Sequence, residues 1–91
     1  MIVEYDKKYI NSIKKLRDKI AIKRLNIVVE KLKKAQELSD VPNVIPIVGY
    51  PGQYRIRIGD YRLLIEHWLG EITILLIEYS KRNEKTYRKY K

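Results

Sequence analysis

The strongest constraint on the fold is a strict alternation of side-chain character on both sides of Gly59-Asp60. Consecutive residues of a β-strand point to opposite faces of a sheet, so alternate positions share one environment. One set of alternate positions here is wholly apolar or aromatic: Tyr54, Ile56, Ile58, Tyr61, Leu63 and Ile65. Glycine followed by aspartate suits a two-residue type II′ turn. The pattern predicts an antiparallel hairpin of residues 53–58 and 61–68, with these six residues facing a core.

The opposite face of this hairpin carries Arg55, Arg57 and Arg62, and we call it the arginine face. In the predicted register Arg57 lies directly across from Arg62, and like charges so placed cost a few tenths to about 1 kcal/mol. A bound phosphate reverses that sign, because guanidinium groups stay charged and grip phosphate through paired hydrogen bonds. We therefore interpret this face as a phosphate site. The alternative is a solvated sheet face whose long side chains splay apart.

Upstream of the hairpin, the spacing of apolar residues predicts helices. Ile2 to Tyr5 suits a short strand, and Asp6 suits the N-cap of a helix that starts at Lys7. Two stripes at helical spacing follow, Tyr9, Ile13, Leu16 and Ile20, and then Leu25, Val28, Leu32 and Ala35. No glycine or proline separates the stripes, so one long helix remains an alternative. A helical hairpin is favoured because both stripes then cover the same sheet.

The remaining segments complete an α+β architecture. Prolines and glycines mark a connector over residues 39–52, and a third strand is predicted over residues 71–79. The predicted order is β-α-α-β-β-β, with the helical hairpin packed on one face of a small antiparallel sheet. A chain of 91 residues suits one domain, spanning residues 1–91.

The third strand is apolar on both faces, since Leu75 and Ile77 share the parity of the arginine face. Something must cover these two side chains. We expect the charged tail, residues 81–91, to fold back over them and to bring Arg82 and Tyr87 toward the arginines.

Composition narrows the function classes. Twenty lysines and arginines against eleven acidic residues give a net charge of +9, which favours a polyanionic partner. The absence of cysteine excludes disulfides, thiolate nucleophiles and cysteine-bound zinc, and a single histidine argues against a metal site. No secretion segment or membrane span is apparent. We expect a cytoplasmic protein without a metal, a small-molecule cofactor or a membrane partner.

Residues 49–64 read GYPGQYRIRIGDYRLL, and this segment resembles the RelE/ParE superfamily of toxins from type II toxin–antitoxin systems. Ser80-Lys81-Arg82 followed by Tyr87 is similar to the basic-plus-tyrosine motif near the C-terminus of that superfamily. The specific signature covers residues from about 47 onward, while the earlier part matches only in its order of elements. The resemblance implies a RelE-like fold.

The resemblance also implies an activity, that of a ribosome-dependent endoribonuclease acting on messenger RNA in the ribosomal A site. In that metal-free chemistry the ribose 2′-hydroxyl attacks the adjacent phosphate, and a cognate antitoxin neutralises the toxin. The positions that match the superfamily's catalytic residues are Arg55, Arg57, Arg62, Arg82 and Tyr87. Lys81, Lys85 and Arg88 are expected to contact RNA.

The proton acceptor is left open by these residues. Nuclease members often have lysine where this chain has arginine at both strand positions, and arginine cannot give up a proton near neutrality. Tyr87 and Glu66 are the two candidates, although Glu66 also suits an ion pair with a neighbouring arginine. His67 is interpreted as a packed or turn histidine, and Trp68 either stacks on RNA or caps the core.

Two rival functions remain. A ParE-type inhibitor of DNA gyrase shares the fold but usually lacks the full basic cluster. A non-catalytic basic module would bind nucleic acid by its phosphates without cleaving it, with an affinity that falls steeply as salt rises.

Overall fold

The computed structural model describes residues 1–81, which form two helices and a five-stranded sheet. The elements in chain order are β1 (Ile2–Tyr5), α1 (Lys7–Lys15), α2 (Lys19–Lys34), a short 3₁₀ helix (Leu38–Asp40), β2 (Val44–Pro46), β3 (Gln53–Ile58), β4 (Tyr61–Glu66) and β5 (Thr73–Lys81). The strands lie in the order β1-β5-β4-β3-β2. All neighbours are antiparallel except β1 and β5, which are parallel. The predicted α+β class is confirmed.

The β3–β4 hairpin has the predicted register. Arg57 pairs with Arg62, and Arg55 pairs with Leu64. Gly59 has a φ of 59°, which a type II′ turn requires at its first central position and which glycine adopts without strain. The face opposite the arginines forms the core, where Ile56, Ile58, Leu63 and Ile65 are buried and Tyr54 and Tyr61 pack at the margin.

Two separate helices form because Asp18 begins the second one. Its carboxylate accepts hydrogen bonds from the amides of Ile20 and Ala21, at 3.1 and 3.0 Å, and so caps α2. Asp6 caps α1 in the same way, as predicted, through the amide of Lys8 at 2.8 Å. The new start changes the phase of the helix, so Ile20, predicted on the first apolar stripe, is instead 65% exposed. The buried stripe of α2 is Ala21, Leu25, Val29 and Leu32.

Two predicted features of the sheet were wrong. The connector over residues 39–52 contains the edge strand β2, which is too short to show alternation and whose Pro46 is tolerated at a sheet edge. In addition, β4 ends at Glu66, and β5 begins and ends two residues later than predicted. The sheet is mostly antiparallel, as predicted, with one parallel pair, because the crossover through α1 and α2 leaves β1 parallel to β5.

A β-bulge interrupts β5. Leu64 pairs with Glu78 but Ile65 pairs with Leu76, so Ile77 is an extra residue without a partner in β4. The bulge reverses the alternation of the strand that follows it. Tyr79 therefore faces the core, where it is 2% exposed, while Glu78 and Ser80 share the arginine face.

Tyr79 joins β5 to both helices. Its hydroxyl donates to the carbonyl of Ala21 in α2 at 2.9 Å, and its amide donates to the Ser12 hydroxyl of α1 at 3.1 Å. Its ring stacks on Tyr61 with centroids 5.1 Å apart.

Burial, with smaller contributions from nearby groups, raises the pKa of Tyr79 to about 12. Burial, together with Tyr5, raises the pKa of Tyr9 to about 12 as well.

Because the pKa values of Tyr9 and Tyr79 are raised, we expect the protein to lose stability at alkaline pH. Below the ordinary tyrosine value of 10.0 both stay neutral in the folded and unfolded chains, so their contribution is fully present. As the pH rises from 10.0 to about 12 only the unfolded chain ionises them, and the free energy of unfolding should fall. Urea denaturation across this range measures the fall. Tyr79→Phe should cost about 1 kcal/mol at neutral pH yet show a shallower alkaline loss, and an unchanged slope would contradict this assignment.

Candidate active site

Side chains of three strands form a regular array on the arginine face. Its rows, read across β3, β4 and β5, are Arg57, Arg62 and Ser80, then Arg55, Leu64 and Glu78, then Gln53, Glu66 and Leu75. Neighbours within a row have Cβ atoms about 5 Å apart, and successive rows lie about 7 Å apart. The three arginines therefore occupy one corner of the array.

The three arginines of this corner differ in their exposure to solvent. Arg57 is exposed, whereas Arg55 and Arg62 are half-buried and both interact with other groups of the protein. Leu64, at the centre of the array, is also half-buried and gives the face an apolar floor. The register thus places the three arginines and the half-buried Leu64 side by side on one face of the sheet.

The other predicted site residues are not brought to this corner by the described part of the chain. Lys81 is exposed, but it pairs with Tyr61, whose side chain belongs to the helix-facing side of the sheet. Arg82, Tyr87, Lys85 and Arg88 lie outside the described residues, and so does the predicted return of the tail. Their roles remain predictions.

Glu66, His67 and Trp68 lie together at the far end of β4. Glu66 shares the arginine face, as predicted, two rows away from Arg62. His67 is a turn histidine, as interpreted from the sequence, because its Nε2 is 2.9 Å from the carbonyl oxygen of Glu71. Trp68 is 46% exposed, and its indole lies so close to Gly52 that a Cβ there would come within 2.8 Å. This contact fixes the indole against the backbone, and stacking on RNA remains a prediction.

Glu78 is the residue of this face that the sequence analysis missed. Strict alternation assigns it to the helix side, together with Ile74 and Leu76, and only the bulge turns it outward. Its side chain is 28% exposed and lies 3.7 Å from the Lys8 ammonium group of α1. The only hint in the sequence is the unbroken apolar run Ile74-Leu75-Leu76-Ile77, which departs from alternation.

Within residues 1–81, no group of three or more histidine, aspartate or glutamate residues is placed to hold a metal ion. Neither helix of the same range is long and apolar enough to cross a membrane.

Known proteins share both the sequence pattern and the fold. Residues 3–84 match the family of ParE toxins of type II toxin–antitoxin systems (parDE). Toxin RelE3 of Methanocaldococcus jannaschii is 33% identical over 67 residues, which cover 72% of this chain and 75% of that protein.

Solved structures of toxin–antitoxin complexes share the fold of this chain. The toxin–antitoxin complex RelB–RelE of Methanococcus jannaschii superimposes with a TM-score of 0.75 at 25% identity, over 96% of each chain. The archaeal RelE–RelB complex of Pyrococcus horikoshii gives 0.71 at 21% identity, over 91% of this chain and 96% of that one. With a family match that spans most of its length, this chain belongs to the ParE toxin family, within the RelE/ParE superfamily of toxin–antitoxin toxins.

Proposed function

We propose that this protein is a RelE-type toxin that cleaves messenger RNA in the ribosomal A site and is neutralised by a cognate antitoxin. The observation that carries the proposal is the corner of Arg55, Arg57 and Arg62, which the β3–β4 register gathers on one sheet face. Arginines paired across two strands repel each other, and a bound anion would offset that repulsion.

The arginines would act on the charge that develops during cleavage. When a 2′-oxygen attacks the neighbouring phosphorus, negative charge builds on the non-bridging oxygens of the phosphoryl group. Arg57 and Arg62 face each other across the hairpin, and Arg55 lies one row away on the same strand as Arg57. Donors held in place before the reaction stabilise such charge more effectively than water does, because they need not reorganise.

A cognate antitoxin is the proposed protein partner, since the solved relatives include complexes of RelE with RelB. A chain with a net charge of +9 is expected to attract a partner rich in acidic residues. We expect that partner to offer an amphipathic helix that covers apolar toxin surface together with the arginines.

Induced expression in growing cells, with mapping of transcript ends, tests the proposal. We expect growth arrest and cuts inside translated reading frames, with cyclic phosphate and 5′-hydroxyl ends. Arrest accompanied by gyrase-dependent DNA breaks, without transcript cuts, would instead identify a gyrase inhibitor. Salt-sensitive RNA binding by the purified protein, with no cleavage on programmed ribosomes, would identify a non-catalytic module.

A further inference from the structure

The bulge in β5 places a carboxylate beside the arginine corner. Arg62 pairs with Ser80, and the next residue of β4 on this face, Leu64, pairs with Glu78. Arg62 and Glu78 are therefore diagonal neighbours, with Cβ atoms about 7–8 Å apart. Bulges are frequent next to active sites, where they re-aim a side chain. Glu78 is the side chain that this bulge brings to the face of the arginines.

Several other titratable groups of residues 1–81 are placed less well to take a proton at this corner. Tyr9 and Tyr79 are buried in the core, and His67 is held by the Glu71 carbonyl at the far end of β4. Glu66 is four residues from Arg62 along the same strand, a separation of about 13 Å. Glu78 is thus the carboxylate nearest to Arg62 within the array.

We infer that Glu78 is the proton acceptor for the ribose 2′-hydroxyl, an assignment that rests on the proposed ribonuclease function. Its carboxylate takes the proton as the 2′-oxygen bonds to phosphorus, and the bond from phosphorus to the 5′-oxygen of the next nucleotide breaks. The leaving oxygen takes a proton from water, and protonated Glu78 returns its proton to the resulting hydroxide. Atoms and charges balance, and no other reactant is consumed.

Lys8 has a positioning role in this arrangement. Its ammonium group, 3.7 Å from a Glu78 carboxylate oxygen, approaches from α1 at the edge of the sheet. A single contact of this length between partly exposed groups contributes little to stability. Loss of Lys8 should therefore loosen the carboxylate without removing the proton acceptor.

The test compares single-turnover cleavage of ribosome-bound messenger RNA by the wild type, E78Q and E30Q. Glu30→Gln is the matched control, because it makes the same change at a glutamate that also lies near a lysine, 3.5 Å from Lys33, but on α2. We expect E78Q to cleave about 10²-fold more slowly with an unchanged KM, and E30Q to stay within about threefold of wild type. The pH dependence separates catalysis from structure. The wild-type rate should rise with pH less steeply than that of E78Q, which relies on hydroxide and should gain about tenfold per pH unit.

Each outcome decides the assignment. An E78Q rate within about tenfold of wild type, or a pH dependence like that of wild type, would overturn the assignment of Glu78 and leave the proposed ribonuclease function standing. If Lys8→Met reproduced the whole rate loss of E78Q, and both variants kept the pH dependence of the wild type, Glu78 would be only an ion-pair partner and the assignment would be overturned. Should E78Q fail to fold, Glu78→Asp keeps a carboxylate, and it must retain the pH dependence of the wild type at an intermediate rate. A wild-type protein that cuts no RNA on programmed ribosomes would overturn the ribonuclease function and this assignment together.

Discussion

Replacing Arg62 with alanine is expected to lower the rate of messenger RNA cleavage by about 10²–10³-fold, the usual cost of losing one preorganised donor to a developing oxyanion. Arg62 lies in β4, the middle strand of the arginine face. Its neighbours are Arg57 in β3 on one side and Ser80 in β5 on the other. Its backbone belongs to a hairpin whose other face is fully packed. The substitution should therefore remove chemistry while the fold persists.

The measurement is single-turnover cleavage on programmed ribosomes, paired with a thermal melt of each variant. Arg17→Ala is the control, because Arg17 is an exposed arginine in the break between the helices and belongs to no strand. We expect Arg17→Ala to cleave like the wild type. If Arg62→Ala cleaved within about tenfold of the wild type, Arg62 would have no part in the mechanism.

Replacing Leu63 with alanine should cost about 2–5 kcal/mol of unfolding free energy, as is typical for a leucine deleted from a packed core. Leu63 is fully buried, and the register places it between Ile56 of β3 and Tyr79 of β5. Removing its side chain leaves a cavity beneath the Tyr79 hydrogen bonds that join β5 to both helices. Urea denaturation of the purified protein measures the loss.

Leu64→Ala provides the control for that experiment. Leu64 follows Leu63 directly but lies on the arginine face, where it is only half-buried, so its truncation should cost clearly less. Equal losses at the two positions would mean that the two faces of the hairpin are not core and surface. Leu64→Ala should also preserve the arginine corner, and its cleavage rate reports how much the apolar floor contributes to RNA binding.

Local signals in the sequence were sufficient for much of the fold. The alternation around Gly59-Asp60 predicted the pairing of Arg57 with Arg62 and of Arg55 with Leu64, because one face of that hairpin must be buried and a slip by one residue would expose it. Asp6 marked the start of α1, since its side chain satisfies an amide only two residues away. In both cases the interaction that decides the structure lies within a few residues along the chain.

Other features needed partners that are distant in sequence. Whether Ile20 is buried depends on whether α1 and α2 form one continuous helix. No glycine or proline marks the break between them, which precedes Asp18, the N-cap of α2. The strand β2 is three residues long and acquires its structure only by pairing with β3. The parallel pairing of β1 with β5 joins residues about seventy positions apart, and no local pattern encodes it.

In the candidate site too, some positions follow from the sequence and one does not. Sequence alone determined that Arg55, Arg57 and Arg62 share one face, because the two-residue period of a strand and a two-residue turn leave no other arrangement that buries the apolar set. The position of Glu78 was decided only by the tertiary structure. Its direction depends on a bulge in β5, a strand that pairs with both β4 and β1 and whose Tyr79 is hydrogen-bonded to both helices. Contacts among such distant neighbours cannot be read from a run of apolar residues.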